Sequence, residues 1–558
     1  MAEETVRELR ACFAAGRTRP AEWRAAQLKA LVRLIDEKEA EITAALHDDL
    51  AKPHMESYLH EISLAKSSCK FALNGLKNWM KPEKVPAAIT TFPSSAQIVP
   101  EPLGVVLIIS AWNYPFMLSI DPVIGAIAAG NAVVLKPSEL APATSSMLAK
   151  LLPEYVDSTC IKVVEGGVTE TTELLEQRWD KIFYTGSGTV GRIVLAAAAK
   201  HLTPVALELG GKCPVIVDSN VDLHVAVKRI AVGKWGCNNG QACIAPDYII
   251  TTKSFAPELV DSLKRVLERF YGKDPLESTD LSRIVNSKHF QRLKELVEEK
   301  KVAEKIVYGG QTDEKRLKIA PTILLDVPQD TALMTGEIFG PYLPIVTVEK
   351  IEDSIDLINT KTKPLAAYLF TKNKKLQQDF VANVPAGGML VNDVALHVIE
   401  PCLLHQELCN ELHSLLQNLN SAPIFPNAAG REPVPPLRWR GRQRDGQLPR
   451  QVQLRLLHPQ EGGPDPRLRR RGGGEVPALH AGEAEDPERP DQRQLHRPDP
   501  GAPGVPQGGA LDDPLAVQSV RALCSCWSGA EYIQTITLPN AKIKGVASVR
   551  CVTQLYDA

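Results

Sequence analysis

Cys243 lies in the stretch Gly236-Cys237-Asn238-Asn239-Gly240-Gln241-Ala242-Cys243-Ile244-Ala245-Pro246, with no bulky neighbour until Ile244. A thiol framed by small residues can be approached closely by a substrate carbonyl, which suits a nucleophile attacking as the thiolate. The competing reading is an inert buried thiol, because free Cys is among the most buried residue types. Glu208 poses a similar choice. It ends the apolar run Val205-Ala206-Leu207 and precedes Leu209-Gly210-Gly211. Burial there would raise its pKa toward that of a general base, and the alternative is a salt-bridged structural carboxylate.

The string Thr185-Gly186-Ser187-Gly188-Thr189-Val190-Gly191 is a third candidate. Gly186, Gly188 and Gly191 would let a backbone turn approach a pyrophosphate at a helix N-terminus. Such a string is weak alone and gains weight here because it follows a strand pattern and opens a helical one. Asn113, in Ser110-Ala111-Trp112-Asn113-Tyr114-Pro115-Phe116, reads alone as a turn residue, and Glu337, in Gly336-Glu337-Ile338-Phe339-Gly340-Pro341, as an ordinary surface acid.

These stretches, together with Ala206-Leu207-Glu208-Leu209-Gly210-Gly211 and in this order, resemble the aldehyde dehydrogenase superfamily. GQACIAPDY and KPSELAP look like its class-3 branch. The resemblance runs from the N-terminus to about His397. It implies oxidation of an aldehyde to a carboxylic acid with a nicotinamide cofactor, through a Cys243 thiohemiacetal and thioester. The Cys243 N–H and the Asn113 amide would form the oxyanion hole. Glu208 would activate water against the thioester. The turn at Gly186, Ser187, Gly188 and Gly191 would face the pyrophosphate, and Lys136 and Glu139 match positions that reach the adenosine ribose. Glu139 would accept from a 2′-hydroxyl and repel a 2′-phosphate, favouring NAD, whereas Lys136 would tolerate the phosphate and leave NADP open. Glu337 would hold the nicotinamide ribose, with Phe339 packing against the ring region. No metal site is among these candidates.

The elements that must position these residues are visible in the hydrophobic pattern. Residues 1–80 carry helical periodicity, with Trp23, Leu28, Leu31, Leu34 and Ile35 near 3–4 spacing. Pro82, Pro86 and Pro93 break it, and extended segments at 89–92 and 96–99 correspond to the family's bridging hairpin to a second subunit. Short apolar runs then alternate with helices, predicting strands at 104–109, 132–135, 161–164, 181–184 and 205–209. Helices are predicted between them at 116–129, 144–152, 171–177 and 190–200. A second α/β unit is predicted from strands at 215–217, 248–250, 306–308, 345–348, 367–370 and 389–392. The fold class is therefore α/β, a Rossmann-like doubly wound cofactor domain plus an α/β catalytic domain. The expected division is 1–82 with 102–210 for the NAD(P)-binding domain, 83–101 for the hairpin, 211–398 for a truncated catalytic domain and 399–558 for an aberrant tail without stable structure.

The chain's 558 residues allow more than one domain, and its 64 basic against 66 acidic residues give no reason to expect nucleic acid as a partner. The 11 cysteines show no paired spacing, so no disulfide framework and a reducing compartment are expected. The acidic first ten residues lack an apolar h-region, and no run of about 18 apolar residues occurs, so a cytoplasmic protein without a membrane span is expected. The expected partners are a small-molecule aldehyde and, in the intact family form, a second copy of the chain.

After Val394-Ala395-Leu396-His397 the resemblance stops, and a Leu/Cys/His-rich piece, 399–426, is followed by Arg/Pro/Gly-rich sequence lacking core periodicity to about Gly509. Read as CCC CTT CGG TGG CGT, Pro436-Leu437-Arg438-Trp439-Arg440 becomes Pro-Phe-Gly-Gly when the frame advances by one base, which is a motif of the missing family tail. Allowed codons continue the match through Leu495. Residues from about 430 to 509 are therefore read as an out-of-frame translation of the family C-terminus, and 399–429 as retained intron. This loss motivates the alternative of an inactive nucleotide-binding isoform. A cofactor-free thiol esterase is a third reading, and it would leave Gly186, Gly188, Gly191 and Glu337 without a role.

Overall fold

Five short apolar runs assemble into a parallel sheet in the order Ile161–Val163, Ala132–Lys136, Val105–Ile109, Lys181–Thr185, Val205–Glu208. The runs are almost continuously apolar because helices cover both faces, leaving neither face to water. Val106, Ile108, Val133 and Leu135 point into a core shared with helices Ala21–Leu50, Ser63–Trp79, Met117–Ala128 and Pro142–Tyr155. Val105, Leu107, Ala132 and Val134 point the other way, toward helices Ala2–Ala14, Val168–Leu175 and Gly188–Ala199. The chain leaves the central strand Val105–Ile109 in one direction and returns to its other side at Lys181–Thr185, so the strand order reverses there. That is where ligands bind in open α/β sheets.

The computed structural model describes residues 2–85, 95–395, 451–457 and 550–551. A second sheet runs in the order Ile306–Tyr308, Thr322–Leu325, Tyr342–Val348, Tyr248–Thr252, Pro214–Val217, Ala366–Phe370, Gly388–Val391 and Arg550–Cys551. It is parallel except at its two ends, where Ile306–Tyr308 and Arg550–Cys551 are antiparallel to their neighbours. Separate apolar cores lie on its two faces. The doubly wound α/β class read from the pattern is the class observed. The strand Thr322–Leu325 was not anticipated, since the sequence reading held nothing between 306–308 and 345–348.

Helix starts differ from expectation for local reasons. The 144–152 helix begins two residues earlier because Pro142 occupies its first turn, where a missing N–H costs nothing. The 190–200 helix begins at Gly188, with Ser187 as its N-cap accepting from Val190 N at 3.4 Å. In the N-terminal region Leu28, Leu31, Leu34 and Ile35 are buried as the periodicity predicts. A π-helical turn, Tyr58–Ile62, interrupts the helices between His54–Ser57 and Ser63–Trp79.

Strand Glu83–Val85 pairs antiparallel with Ser95–Glu101, and the 89–92 half of the expected hairpin lies outside the described residues. Within 399–558 the described residues are the strand Gln451–Leu457, which neighbours Ser95–Glu101, and Arg550–Cys551, which pair with Met389 and Gly388. The rest of that expectation lies outside the described residues. Among the described residues Cys12 and Cys160 form one disulfide across 148 residues, a separation that leaves no spacing signal; it is a lone link and not a framework. No helix among the described residues is long and apolar enough to cross a membrane.

Candidate active site

Sheet register alone brings most of the candidate residues to one edge. Ile109 is aligned with Lys136 on one side and Tyr184 on the other, and Thr185 is aligned with Glu208. The Asn113 loop, Lys136, the glycine turn and Glu208 therefore leave the sheet together at its C-terminal ends. The turn is tied to the acid directly, since Gly186 N donates to the Glu208 carbonyl at 3.0 Å.

Cys243 follows a short helical turn, Asn238–Gly240, in which Asn238 and Asn239 both adopt left-handed backbone. Gly240, at φ 81°, has no room for a Cβ, which would come within 2.2 Å of the Gly340 carbonyl. The Cys243 carbonyl accepts from the Cys213 thiol at 3.3 Å and the Ile244 carbonyl from the Tyr368 hydroxyl at 2.6 Å. These contacts fix the backbone while the Cys243 side chain is only half-buried. Burial pushes the thiol up to about 12, Glu337 and Glu208 push in the same direction, and its own N–H and that of Ile244 oppose them. At rest Cys243 is therefore a thiol whose proton needs an acceptor.

Asn113 is buried and its Nδ2 donates to the Gln241 carbonyl at 3.1 Å, linking the loop after Val105–Ile109 to the nucleophile loop. An amide nitrogen carries two hydrogens, so one remains for a substrate oxygen. Beyond its own sulfur, no protein acceptor takes the Cys243 N–H among the described residues. Glu208 departs from its expectation in one respect. It is exposed at the strand end rather than buried, although the protein crowding around it still raises its pKa through desolvation.

Glu337 lies against the glycine pair after Glu208, accepting from Gly211 N at 3.2 Å. A Cβ on Gly210 would fall 2.3 Å from its carboxylate. Burial and Asp247 raise Glu337 to about 7. Phe339 adopts left-handed backbone (φ 51°) and meets Trp112 edge-on at 5.4 Å, which brings the Glu337 loop against the Asn113 loop. Strained non-glycine backbone of this kind clusters at functional sites.

Lys136 is buried and its Nζ lies 2.6 Å from the half-exposed Glu139 carboxylate. The pair stands at the end of strand Ala132–Lys136, beside Val105–Ile109. The glycine turn fits a phosphate-bearing ligand. The N–H groups of Gly188 and Thr189 have no protein acceptor among the described residues, and no atom beyond the turn lies nearer than 3.8 Å to where a Gly188 Cβ would stand. A Cβ on Gly186 would strike the Tyr184 hydroxyl at 2.3 Å.

Several residues that hold this centre were not singled out from sequence. Lys212 donates to Asp247 and to the carbonyls of Leu333 (2.9 Å) and Gly336 (3.1 Å), and Asp247 accepts from Ile338 N at 3.0 Å. The Glu337 loop is thereby bolted to the strands beneath Cys243. Glu56 accepts from Asn238 N at 2.7 Å, and burial raises it to about 7. Lys52 and Glu61 reach the Asn113 loop. Asn238-Asn239-Gly240 was a readable signal for left-handed backbone. The charged residues of the N-terminal helices carried no comparable mark.

Residues 1–402 match the model of the aldehyde dehydrogenase family. Aldehyde dehydrogenase family 3 member H1 of Arabidopsis thaliana is 64% identical over 397 residues, covering 71% of this chain and 82% of the relative. The dimeric NADP-preferring aldehyde dehydrogenase of Rattus norvegicus is 48% identical over 400 residues, 72% of this chain and 87% of the relative. Among solved structures, the substrate-bound state of Staphylococcus aureus AldH superposes with a TM-score of 0.69 at 40% identity, covering 71% of this chain and 86% of that one.

Proposed function

The chain belongs to the aldehyde dehydrogenase family, and from that premise we propose that it oxidises aldehydes to carboxylic acids by covalent catalysis at Cys243. The observation that carries this reading is that the Glu208 and Glu337 carboxylates both act on one half-buried thiol, while the Asn113 amide is tied to the Gln241 carbonyl of the same loop. The cofactor is a nicotinamide dinucleotide. When bound, it supplies the acceptor for the hydride that leaves the substrate carbon. Gly186, Ser187, Gly188 and Gly191 would receive the pyrophosphate and Glu337 the nicotinamide ribose, with Phe339 closing the ring side. The Lys136–Glu139 pair would face the adenosine ribose. Glu139 favours NAD by accepting from a 2′-hydroxyl, and Lys136 leaves NADP accessible.

The chain's own tasks follow from its chemistry. Cys243 passes its proton to Glu208, one of the two carboxylates acting on the thiol, which hands it to solvent, and the sulfur bonds to the aldehyde carbon, whose oxygen takes the charge. The free N–H of Asn113 and the Cys243 N–H hold the resulting oxyanion, a contribution worth about 100- to 1000-fold in rate for one such donor. Glu208, with its raised pKa and open position, takes the proton of the water that attacks the thioester. The sulfur then leaves as the carboxylic acid departs. The rat relative's description as dimeric supports a homodimer for the intact family form.

The test is a trap. Glu208→Gln incubated with a simple aldehyde and NAD should accumulate a modification on the Cys243 peptide equal in mass to the aldehyde less two hydrogens. Mass spectrometry that finds it on another cysteine, or nowhere while turnover continues, sinks the assignment. A second reading, a nucleotide-binding form without turnover, is favoured by one observation: the family match ends at residue 402 of 558. Nucleotide binding with no such modification would support it.

A further inference from the structure

Lys52 and Glu61 lie outside every motif that identifies the site, and neither side chain has any solvent exposure. The Lys52 ammonium has three hydrogens and three neighbours. It pairs with Glu61 Oε1, donates to the Asn113 carbonyl at 3.0 Å and sits 3.8 Å from the centre of the Tyr114 ring. The other Glu61 oxygen accepts from Phe116 N at 2.9 Å and Met117 N at 3.1 Å, at the N-terminus of helix Met117–Ala128. One buried ion pair therefore grips the Asn113 loop at four of five consecutive residues, 113, 114, 116 and 117, with Pro115 between them.

The grip is directional. The Asn113 carbonyl also accepts from Asn238 Nδ2 at 2.9 Å, so it is held from the N-terminal helices on one side and the nucleophile loop on the other. Its side-chain Nδ2 is aimed at the Gln241 carbonyl by the same arrangement. Glu61 can reach this loop because it falls in the π-helical turn Tyr58–Ile62, a distortion found most often at functional sites. A buried ion pair offers little net stability over apolar residues of similar size, so its placement calls for another account.

We propose that Lys52 and Glu61 are positioning residues that set the direction of the Asn113 amide toward the substrate oxygen. This rests on the reading of Asn113 as an oxyanion donor, and the experiment separates the two. The probe is 4-dimethylaminocinnamaldehyde, whose absorption moves to longer wavelength when its carbonyl oxygen accepts hydrogen bonds. It is added to the full chain carrying Cys243→Ala, which keeps the backbone N–H and stops the chemistry. The bound aldehyde should show a red shift that Asn113→Ala removes. Lys52→Met should lose at least about half of the shift, and adding Lys52→Met to Asn113→Ala should change nothing further. Because Lys52→Met strands the Glu61 charge, Lys52→Met/Glu61→Gln is run beside it, with circular dichroism and NAD affinity as controls for the fold. A full shift in both Lys52 variants overturns the proposal while leaving the Asn113 reading intact. A full shift in Asn113→Ala overturns that reading, and the proposal with it. Loss of fold in both Lys52 variants overturns the proposal in favour of a purely structural pair.

Discussion

At the scale of single residues, the active centre combines groups whose environments oppose their charged forms. Cys243 is pushed up to about 12 by burial and by two carboxylates, which makes its deprotonation dependent on an acceptor rather than on bulk pH. Cys243→Ala should therefore abolish NADH formation while leaving NAD affinity within about twofold of the parent, because the thiol acts only in chemistry. Fluorescence titration and a steady-state assay check both halves. Equal activity in the variant would move the nucleophile elsewhere. Glu208→Gln should slow deacylation by about 100-fold or more, so that a pre-steady-state burst of NADH appears that the parent lacks. Unaltered steady-state turnover would refute the role of Glu208. Of these residues, Cys243 and Glu208 were legible as candidates from local sequence, because a thiol among small residues and an acid ending an apolar strand are both anomalous. Asn113 and Glu337 were not, since in isolation each looks like an ordinary turn or surface residue and only packing ties Asn113 to the Gln241 carbonyl and Glu337 to Gly211.

Elements were legible where periodicity carried the information. Apolar runs, read at 104–109 and 132–135, announced the buried parallel strands Val105–Ile109 and Ala132–Lys136, and the 3–4 spacing of Leu28, Leu31, Leu34 and Ile35 announced a packed helix. The four-residue strand Thr322–Leu325 escaped because a short apolar run has no period to measure. Equally hidden was the reach of the N-terminal helices into the catalytic loops. Glu56 makes that reach testable. Its folded pKa of about 7 stands above the ordinary 4.5, so the folded chain holds a proton the unfolded chain releases between those values. Its contribution to stability is thus present below about pH 4.5 and is lost as pH rises through about 7, amounting to at most roughly 3 kcal/mol. Glu56→Gln keeps a partner for Asn238 N and Ser282 Oγ. It should raise the melting temperature at pH 8 and change it little at pH 4.5. An equal change at both pH values would mean that Glu56 is not held protonated. At the nucleophile turn, Gly240→Ala should cost several degrees of melting temperature and most activity. Its φ of 81° disfavours a side chain, and the added carbon would strike the Gly340 carbonyl.

For the molecule as a whole, the decisive fact is that a complete set of catalytic candidates lies within the 402 residues that match the family, while the 156 residues beyond them do not. The family resemblance implies a C-terminal segment that would finish the catalytic domain and the subunit contact. If residues from about 430 to 509 are that segment in a shifted frame and 399–429 retained intron, Pro436-Leu437-Arg438-Trp439-Arg440 hides its Pro-Phe-Gly-Gly. The two accounts of the tail differ in what restoring the frame does. If the tail is a misread family C-terminus, a chain joining His397 directly to the frame that encodes Pro-Phe-Gly-Gly-Val-Gly-Asp-Ser-Gly should be dimeric by size-exclusion chromatography with light scattering. Its kcat/KM for a simple aldehyde should exceed that of the present chain by at least about tenfold, with Cys243 and Glu208 needed in both. Transcripts of the gene should include a more abundant message with that junction. If instead sequencing finds one message, matching the present tail, and the restored chain gains neither dimer nor activity, then residues 399–558 belong to this protein in their own right and their contribution must be sought by deletion.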